Sequence, residues 1–326
     1  MQHIVNRQPG DVDDLAKHLA QVVRALTTGR LVPFLGAGAN QCARTGKRGW
    51  QIGQTQSLPL GSELVGHLAK AFGLTFPRSL DLAQASERVV LASGGTGGPL
   101  FDELHSLFNA NYIITSLHRY FAGLPARLRA KGLPKATDAL DRSRLVLVST
   151  NFDDLLERAF AEADQPCHVV FYEAGKGQFF HRSPDCDAKP ITRPNEYKGF
   201  RLDEHPIVVK LHGTIDRDNR DRDSYVITED HFIDYLARPD IGTLLPQPLP
   251  AILRNCSFLF LGYALKDWNL RVFLRRLSAE SKVSRPWWAV MRDPDSLDRL
   301  FWDHHGVKLI DHDVCSYIAA LEAVTP

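Results

Sequence analysis

The sequence lacks every feature that would place it in a membrane, a disulfide scaffold or a nucleic-acid grip. No window approaches the ~20 consecutive apolar residues that span a bilayer, and Met1 to Asp14 is polar and acidic where a signal peptide would be basic and then apolar. A cytoplasmic protein without membrane contact is the expectation. Lys and Arg number 39 against 38 Asp and Glu, so a formal charge of +1 supplies no field for DNA, RNA or anionic lipid, and no direct nucleic-acid binding is expected. The five cysteines, Cys42, Cys167, Cys186, Cys256 and Cys315, are odd in number and scattered, which fits reduced thiols. None forms a C-x-x-C pair, so the sequence offers no four-cysteine zinc site and no metal ligand is assigned. His304, His305, His312 and Cys315 match no common zinc spacing, and His181, Asp185, Cys186 and Asp187 form only a loose cluster. A phosphate-binding G-x-x-x-x-G-K-[ST] loop is also absent.

What is present is enough apolar side chain, 44% of 326 residues, for one large domain or two ordinary ones. Leu15, Leu19, Val22, Val23 and Leu26 recur at helical spacing before Gly29, predicting a helix over Asp11 to Thr28. Leu31–Leu35 then reads as a buried parallel strand ending in Gly36-Ala37-Gly38. Asn40 to Pro59 reads as a long, mobile loop. From Ser62 to about Leu140 the periodicity is helical, broken at Gly94-Gly95, Gly97-Gly98-Pro99 and Gly132-Leu133-Pro134. After Arg144 short apolar runs return: Leu145–Ser149, Val169–Tyr172, Ile207–Leu211, Phe258–Leu261, Trp288–Met291 and Val307–Ile310. Helical stretches such as Asp153–Ala163, Glu229–Leu236 and Asn269–Ser278 follow most of them, and Pro239–Pro250 reads as a connector. The alternation predicts an α/β fold, a doubly wound, Rossmann-like parallel sheet formed by residues 1–53 and 141–326, with a smaller helical domain, 54–140, inserted after the first strand.

Ligands of open α/β sheets bind outside the carboxyl ends of the strands, so the residues ending each strand are the informative ones. Four such segments stand out. Gly36-Ala37-Gly38-Ala39-Asn40 suits either a tight turn or a backbone that approaches a pyrophosphate; the third glycine of the dinucleotide fingerprint is missing. Ser149-Thr150-Asn151-Phe152-Asp153-Asp154 carries an asparagine that either caps the next helix or faces a ligand. Lys210-Leu211-His212-Gly213 places a histidine that is either structural or a proton acceptor near neutral pH. Gly262-Tyr263-Ala264 opens the last segment, in which Asp267 either bonds hydroxyls or begins a helix at Trp268.

The four segments, in this order, resemble the sirtuin-like (Sir2-type) NAD-binding family. Gly36-Ala37-Gly38 is similar to its first phosphate-binding turn, Thr150-Asn151-Phe152-Asp153 to its asparagine motif, Leu211-His212-Gly213 to its histidine motif, and Gly262-Tyr263-Ala264 to its later turn against NAD. Through Leu58-Pro59-Leu60-Gly61-Ser62-Glu63-Leu64 and Asp223-Ser224-Tyr225-Val226-Ile227-Thr228-Glu229-Asp230 it most resembles bacterial members associated with defence against phage. The chain departs from the protein deacylases of the family: their zinc ribbon and their Pro-Asp-Phe-Arg element are missing, and residues 152–211, 60 in all, separate Asn151 from His212 where the deacylases have far fewer.

The resemblance implies NAD as substrate, without zinc, and cleavage of its nicotinamide–ribose bond. It assigns Asn151, His212 and Asp153 to catalysis and Gly36, Ala37, Gly38, Asn40, Thr150, Phe152, Gly262, Tyr263 and Asp267 to holding NAD. An NAD glycohydrolase that depletes NAD in phage defence is the first expectation. A zinc-free sirtuin that transfers ADP-ribose or removes acyl groups, and a non-catalytic NAD or ADP-ribose sensor, are the alternatives. Homo-oligomerisation and a separately encoded ATPase or nucleic-acid-sensing partner are the expected means of control.

Overall fold

A computed structural model describes residues 9–44, 49–133, 145–200, 204–237, 244–263 and 285–326. The predicted amphipathic helix is α1 (Pro9–Thr27), stopped at Gly29, which takes the left-handed conformation (φ +67°). β1 (Leu31–Leu35) follows, and the chain then turns into a short 3-10 helix, Ala37–Ala43. Four helices come next: α2 (Gly61–Ala71), α3 (Leu82–Ala92), α4 (Gly98–Phe108) and α5 (Ser116–Ala130). Side chains from the preceding loops fix two of their starts, Asp81 accepting from the Gln84 N–H and Thr115 from the His118 N–H.

The alternating half begins at β2 (Val146–Ser149) and α6 (Leu155–Glu162). β3 (His168–Glu173), β4 (Gln178–Arg182), β5 (Lys189–Pro190) and β6 (Ile207–Lys210) follow, then a two-stranded ribbon of β7 (Gly213–Thr214) and β8 (Ser224–Tyr225). After α7 (Glu229–Ala237) and α8 (Leu249–Asn255) come β9 (Ser257–Leu261), β10 (Trp287–Met291), α9 (Ser296–His304), β11 (Val307–Asp311) and α10 (Val314–Val324). The helix expected over Asn269–Ser278 lies outside the described residues.

The sheet runs β11-β10-β9-β1-β2-β6-β3-β4-β5 and is parallel except where β4 and β5 turn back along its edge. Each inner strand is apolar on both faces because both are covered. Leu31, Leu35, Leu147, Val208, Leu259, Leu261 and Trp288 enter one core with α1, α2–α6 and α10, while Val32, Phe34, Val146, Val148, Val209, Phe258 and Phe260 enter the other. From β1 the chain builds outward through β2, then returns to lay β9 on the other side of β1. That reversal makes the carboxyl ends of β1 and β9 a topological switch point, where such sheets open a crevice.

The parallel, doubly wound sheet expected from the sequence is present, and β4 and β5 add to its edge an antiparallel extension that occupies part of the long interval between Asn151 and His212. The mobile loop expected over Asn40 to Pro59 needs correction at both ends. Asn40 to Ala43 belong to a 3-10 helix and not to a mobile loop. The far end of that expected loop is also tied down, with Ser57 and Leu58 buried and Arg44 bridging Ser57 Oγ (3.2 Å) and both carboxylate oxygens of Glu63 (2.8 and 2.9 Å). Glu63 further accepts the backbone N–H groups of Trp50 and Leu60, each at 2.8 Å. These donors and the adjacent guanidinium outweigh burial and hold its carboxyl below the usual range.

Candidate functional site

Register brings the four predicted segments together. Leu35, the last residue of β1, pairs with Leu261 of β9 on one side and with Ser149 of β2 on the other, and Ser149 pairs with Lys210 of β6. The turns after these residues therefore leave the sheet side by side on one rim, which at ~4.8 Å per strand spans about 14 Å. β2 and β6 are far apart in sequence yet adjacent in the sheet, so Asn151 and His212 follow neighbouring strands.

The two glycine turns are built against each other. The Gly36 N–H donates to Leu261 O at 3.0 Å and the Gly38 N–H to Gly262 O at 2.9 Å. A Cβ on Gly36 would meet Gly262 O at 2.7 Å, and one on Gly38 would meet Gly262 Cα at the same distance. The glycines are thus needed first for turn-to-turn contact, which brings both turns to the switch point. Tyr263 fastens the arrangement. Its hydroxyl donates to Leu35 O (3.1 Å), leaving the Thr150 hydroxyl to donate to it at 2.8 Å. Leu35 O also accepts from Ser149 Oγ and the Thr150 N–H, each at 3.2 Å.

Asn151 is oriented from two sides. Its backbone N–H donates to Ser149 Oγ at 3.0 Å and its Nδ2 to Gly36 O at 3.1 Å, which links the asparagine segment to the first turn. Asp153 is 6% exposed and accepts from Asn40 Nδ2 (2.9 Å) and from the Leu155 N–H (3.1 Å), so it also starts α6. Burial pushes the Asp153 carboxyl above its ordinary range, against the opposing pull of the Lys210 ammonium and the Asn40 amide. Asn40 is 2% exposed, and its Oδ1 has no hydrogen-bond partner among the described residues.

His212 is buried, with its ring set edge-on to Phe232 (centroids 5.4 Å apart) and its carbonyl accepting the Val226 N–H at 2.8 Å. Burial pulls its pKa down to about 3, so the imidazole is neutral at pH 7. Phe152 turns away from the rim and packs edge-on to Phe108 and Tyr225 at 5.6 and 5.3 Å. Ala37 begins the 3-10 helix after Gly36. Asp267 lies outside the described residues. Among the described residues no group of three or more His, Cys, Asp or Glu side chains is arranged to hold a metal ion. His181 instead bonds His168 Nδ1 through Nε2 at 2.9 Å.

Two contributors escape the sequence reading. Lys210, 1% exposed, lies under the asparagine segment; the signal for it was a lone charge in the apolar run Ile207-Val208-Val209-Lys210-Leu211. Arg217 grips both carboxylate oxygens of Asp154 and donates to Asn109 O (2.8 Å) and Ala110 O (3.2 Å), strapping the end of α4 to the same segment. Nothing local in the sequence marks that role.

The buried histidines also set an acid limit on stability. Burial lowers His18 to about 4 and His118 and His212 to about 3, whereas the unfolded chain takes up these protons near pH 6.5. Stability is therefore complete above pH 6.5 and falls as pH drops toward 4, by up to about 1.4 kcal/mol per pH unit for each ring. Urea midpoints should agree at pH 8 and 7 and decline steeply from 6.5 to 5; an unchanged midpoint at pH 5 would contradict the burial assignment.

The family model of the SIR2-like domain matches residues 145–310, just over half of the chain. The match takes in Asn151, His212 and Gly262 and begins after the first glycine turn. No curated protein matches the chain. SIR2-like domains are generally enzymatic and NAD-dependent, and no described helix is long and apolar enough to cross a membrane. The chain therefore belongs to the SIR2-like domain family.

Proposed function

We propose that the chain is an NAD glycohydrolase that releases nicotinamide and ADP-ribose, and that it acts as an NAD-depleting effector in bacterial phage defence. One observation carries the reading of the site: Gly36–Ala39, Asn151 and His212 leave adjacent strands in register at the switch point of a SIR2-like sheet. The residues fit the dinucleotide. The close contact of the turns at Gly36, Gly38 and Gly262 brings both to the switch point, where a pyrophosphate is expected, and the unpaired Asn40 Oδ1 leaves an acceptor beside Asp153.

The reaction adds water across the N-glycosidic bond, and the ribose gains oxocarbenium character as nicotinamide departs. Asn151, held through its Nδ2 and backbone N–H, orients the ribose hydroxyls or the incoming water. His212, kept neutral by burial, accepts a hydrogen bond from this water or hydroxyl and takes its proton once attack on the oxocarbenium carbon has made that proton acidic. Asp153, bonded to Asn40 and to the Leu155 N–H, steadies the segment that carries Asn151.

Purified chain incubated with NAD, with products followed by chromatography, tests the reading. Nicotinamide and ADP-ribose appearing together without an acyl-peptide is the expected result. Turnover only with an acyl-peptide or an acceptor protein would replace the reading by deacylation or ADP-ribosyl transfer, and binding without turnover would replace it by an NAD sensor.

A further inference from the structure

We propose that Lys210 is a positioning residue for NAD cleavage, whose buried ammonium holds the segment carrying Asn151 and Asp153 against the strand that delivers His212. The inference rests on the glycohydrolase reading and adds to it a residue, 1% exposed, that acts through the segment carrying Asn151. Lys210 ends β6 in register with Ser149, and His212 follows two residues later. Its Nζ donates to the carbonyl oxygens of Phe152 (3.3 Å) and Asp153, and stands 3.3 Å from Glu157 Oε1 in α6. Two of the ammonium's three protons are taken by these carbonyls, and Glu157 faces it as an ion-pair partner.

A buried charge is tolerated only when paired, and here the pairing is mutual. Glu157 finds no hydrogen-bond donor for either carboxylate oxygen among the described residues, so its charge is offset by the ammonium. Charge compensation alone, however, would not need the two carbonyls. Residues 152 and 153 directly follow Asn151, and fixing their carbonyls sets the direction in which the chain leaves β2. The Ile215 N–H donates to the same Phe152 oxygen at 2.9 Å, so the segment is pinned to both sides of the histidine motif, by Lys210 before His212 and by Ile215 after it. Displacement of a reacting group by ~1 Å can cost about 100-fold in rate, so a loosened Asn151 is expected to lower kcat and not NAD affinity, which the glycine turns supply.

Two variants separate positioning from charge compensation. Lys210→Met leaves Glu157 buried and unpaired and is expected to lose stability. Lys210→Met/Glu157→Gln removes both charges and should recover much of that stability while both carbonyls stay unbound. In the double variant we expect kcat for NAD at least ~10-fold below wild type, with KM within about threefold. Amide exchange at Asn151 to Leu155 should be at least ~10-fold faster than in the wild-type chain. Wild-type kcat in the folded double variant, or unchanged exchange in this segment, would overturn the assignment. If the wild-type chain cleaves no NAD, the glycohydrolase reading falls by itself, and the exchange measurement alone decides whether Lys210 anchors the segment.

Discussion

Replacing His212 by alanine is expected to cut NAD cleavage at least ~100-fold while the chain keeps its fold, the usual cost of removing a positioned proton acceptor. Asn151→Ala should have an effect of similar size. The wild-type pH profile gives an independent readout. A histidine with an ordinary pKa near 6.5 would lose activity as pH falls through that value, because the protonated ring cannot accept a proton. His212 is held at about 3 by burial, so the neutral form persists and the rate should show no acid limb between pH 8 and 5.5. Near-wild-type turnover in folded His212→Ala would remove His212 from the chemistry, and a limb centred near pH 6.5 would mean that the ring is hydrated when NAD is bound.

Gly262→Ala is expected to be a severely damaging substitution. Gly262 sits at φ +74°, and a Cβ there would lie 2.1 Å from the backbone nitrogen of Ala39 and 2.4 Å from the carbonyl carbon of Gly38. Those are main-chain atoms of the facing turn, so relief requires the two turns to separate. Strain of that kind costs about 3 kcal/mol or more, and separation would also move both turns away from the switch point, so thermal stability and NAD binding should fall together. Gly66→Ala is the matched control. Gly66 lies within α2 with open space around the new Cβ, and alanine there should stabilise the chain by about 0.5–1 kcal/mol without affecting NAD cleavage. Equal, small effects for the two variants would mean that the contact between the turns does not hold the site.

The sequence made the inner strands legible because residues buried on both faces leave apolar runs such as Leu31–Leu35 and Phe258–Leu261. Strand ends were legible for the same reason, since a run that stops at Gly36, Asn151, His212 or Gly262 marks where the chain leaves the core. Neighbourhood was not. Nothing local says that β6 lies between β2 and β3, and this is what makes Asn151 and His212 adjacent. β5, two exposed residues including Pro190, and the two-residue strands β7 and β8 carry no periodicity to detect. The Arg44–Glu63 clamp and the Arg217 strap are long-range pairings, and a loop rich in Gly, Gln and Arg gives no local sign of them. Lys210 was visible as a charge in a buried strand, but its acceptors are the carbonyls of residues 58 and 57 positions earlier.

A crystal structure of the His212→Ala chain with NAD tests the central claim most directly, because the variant should bind NAD without consuming it. The account predicts the pyrophosphate over Gly36–Ala39 and the Gly262 turn, with the nicotinamide ribose between Asn151 and the position vacated by the imidazole. NAD bound away from the carboxyl ends of β1, β2, β6 and β9, or with its nicotinamide ribose out of reach of Asn151, would contradict it.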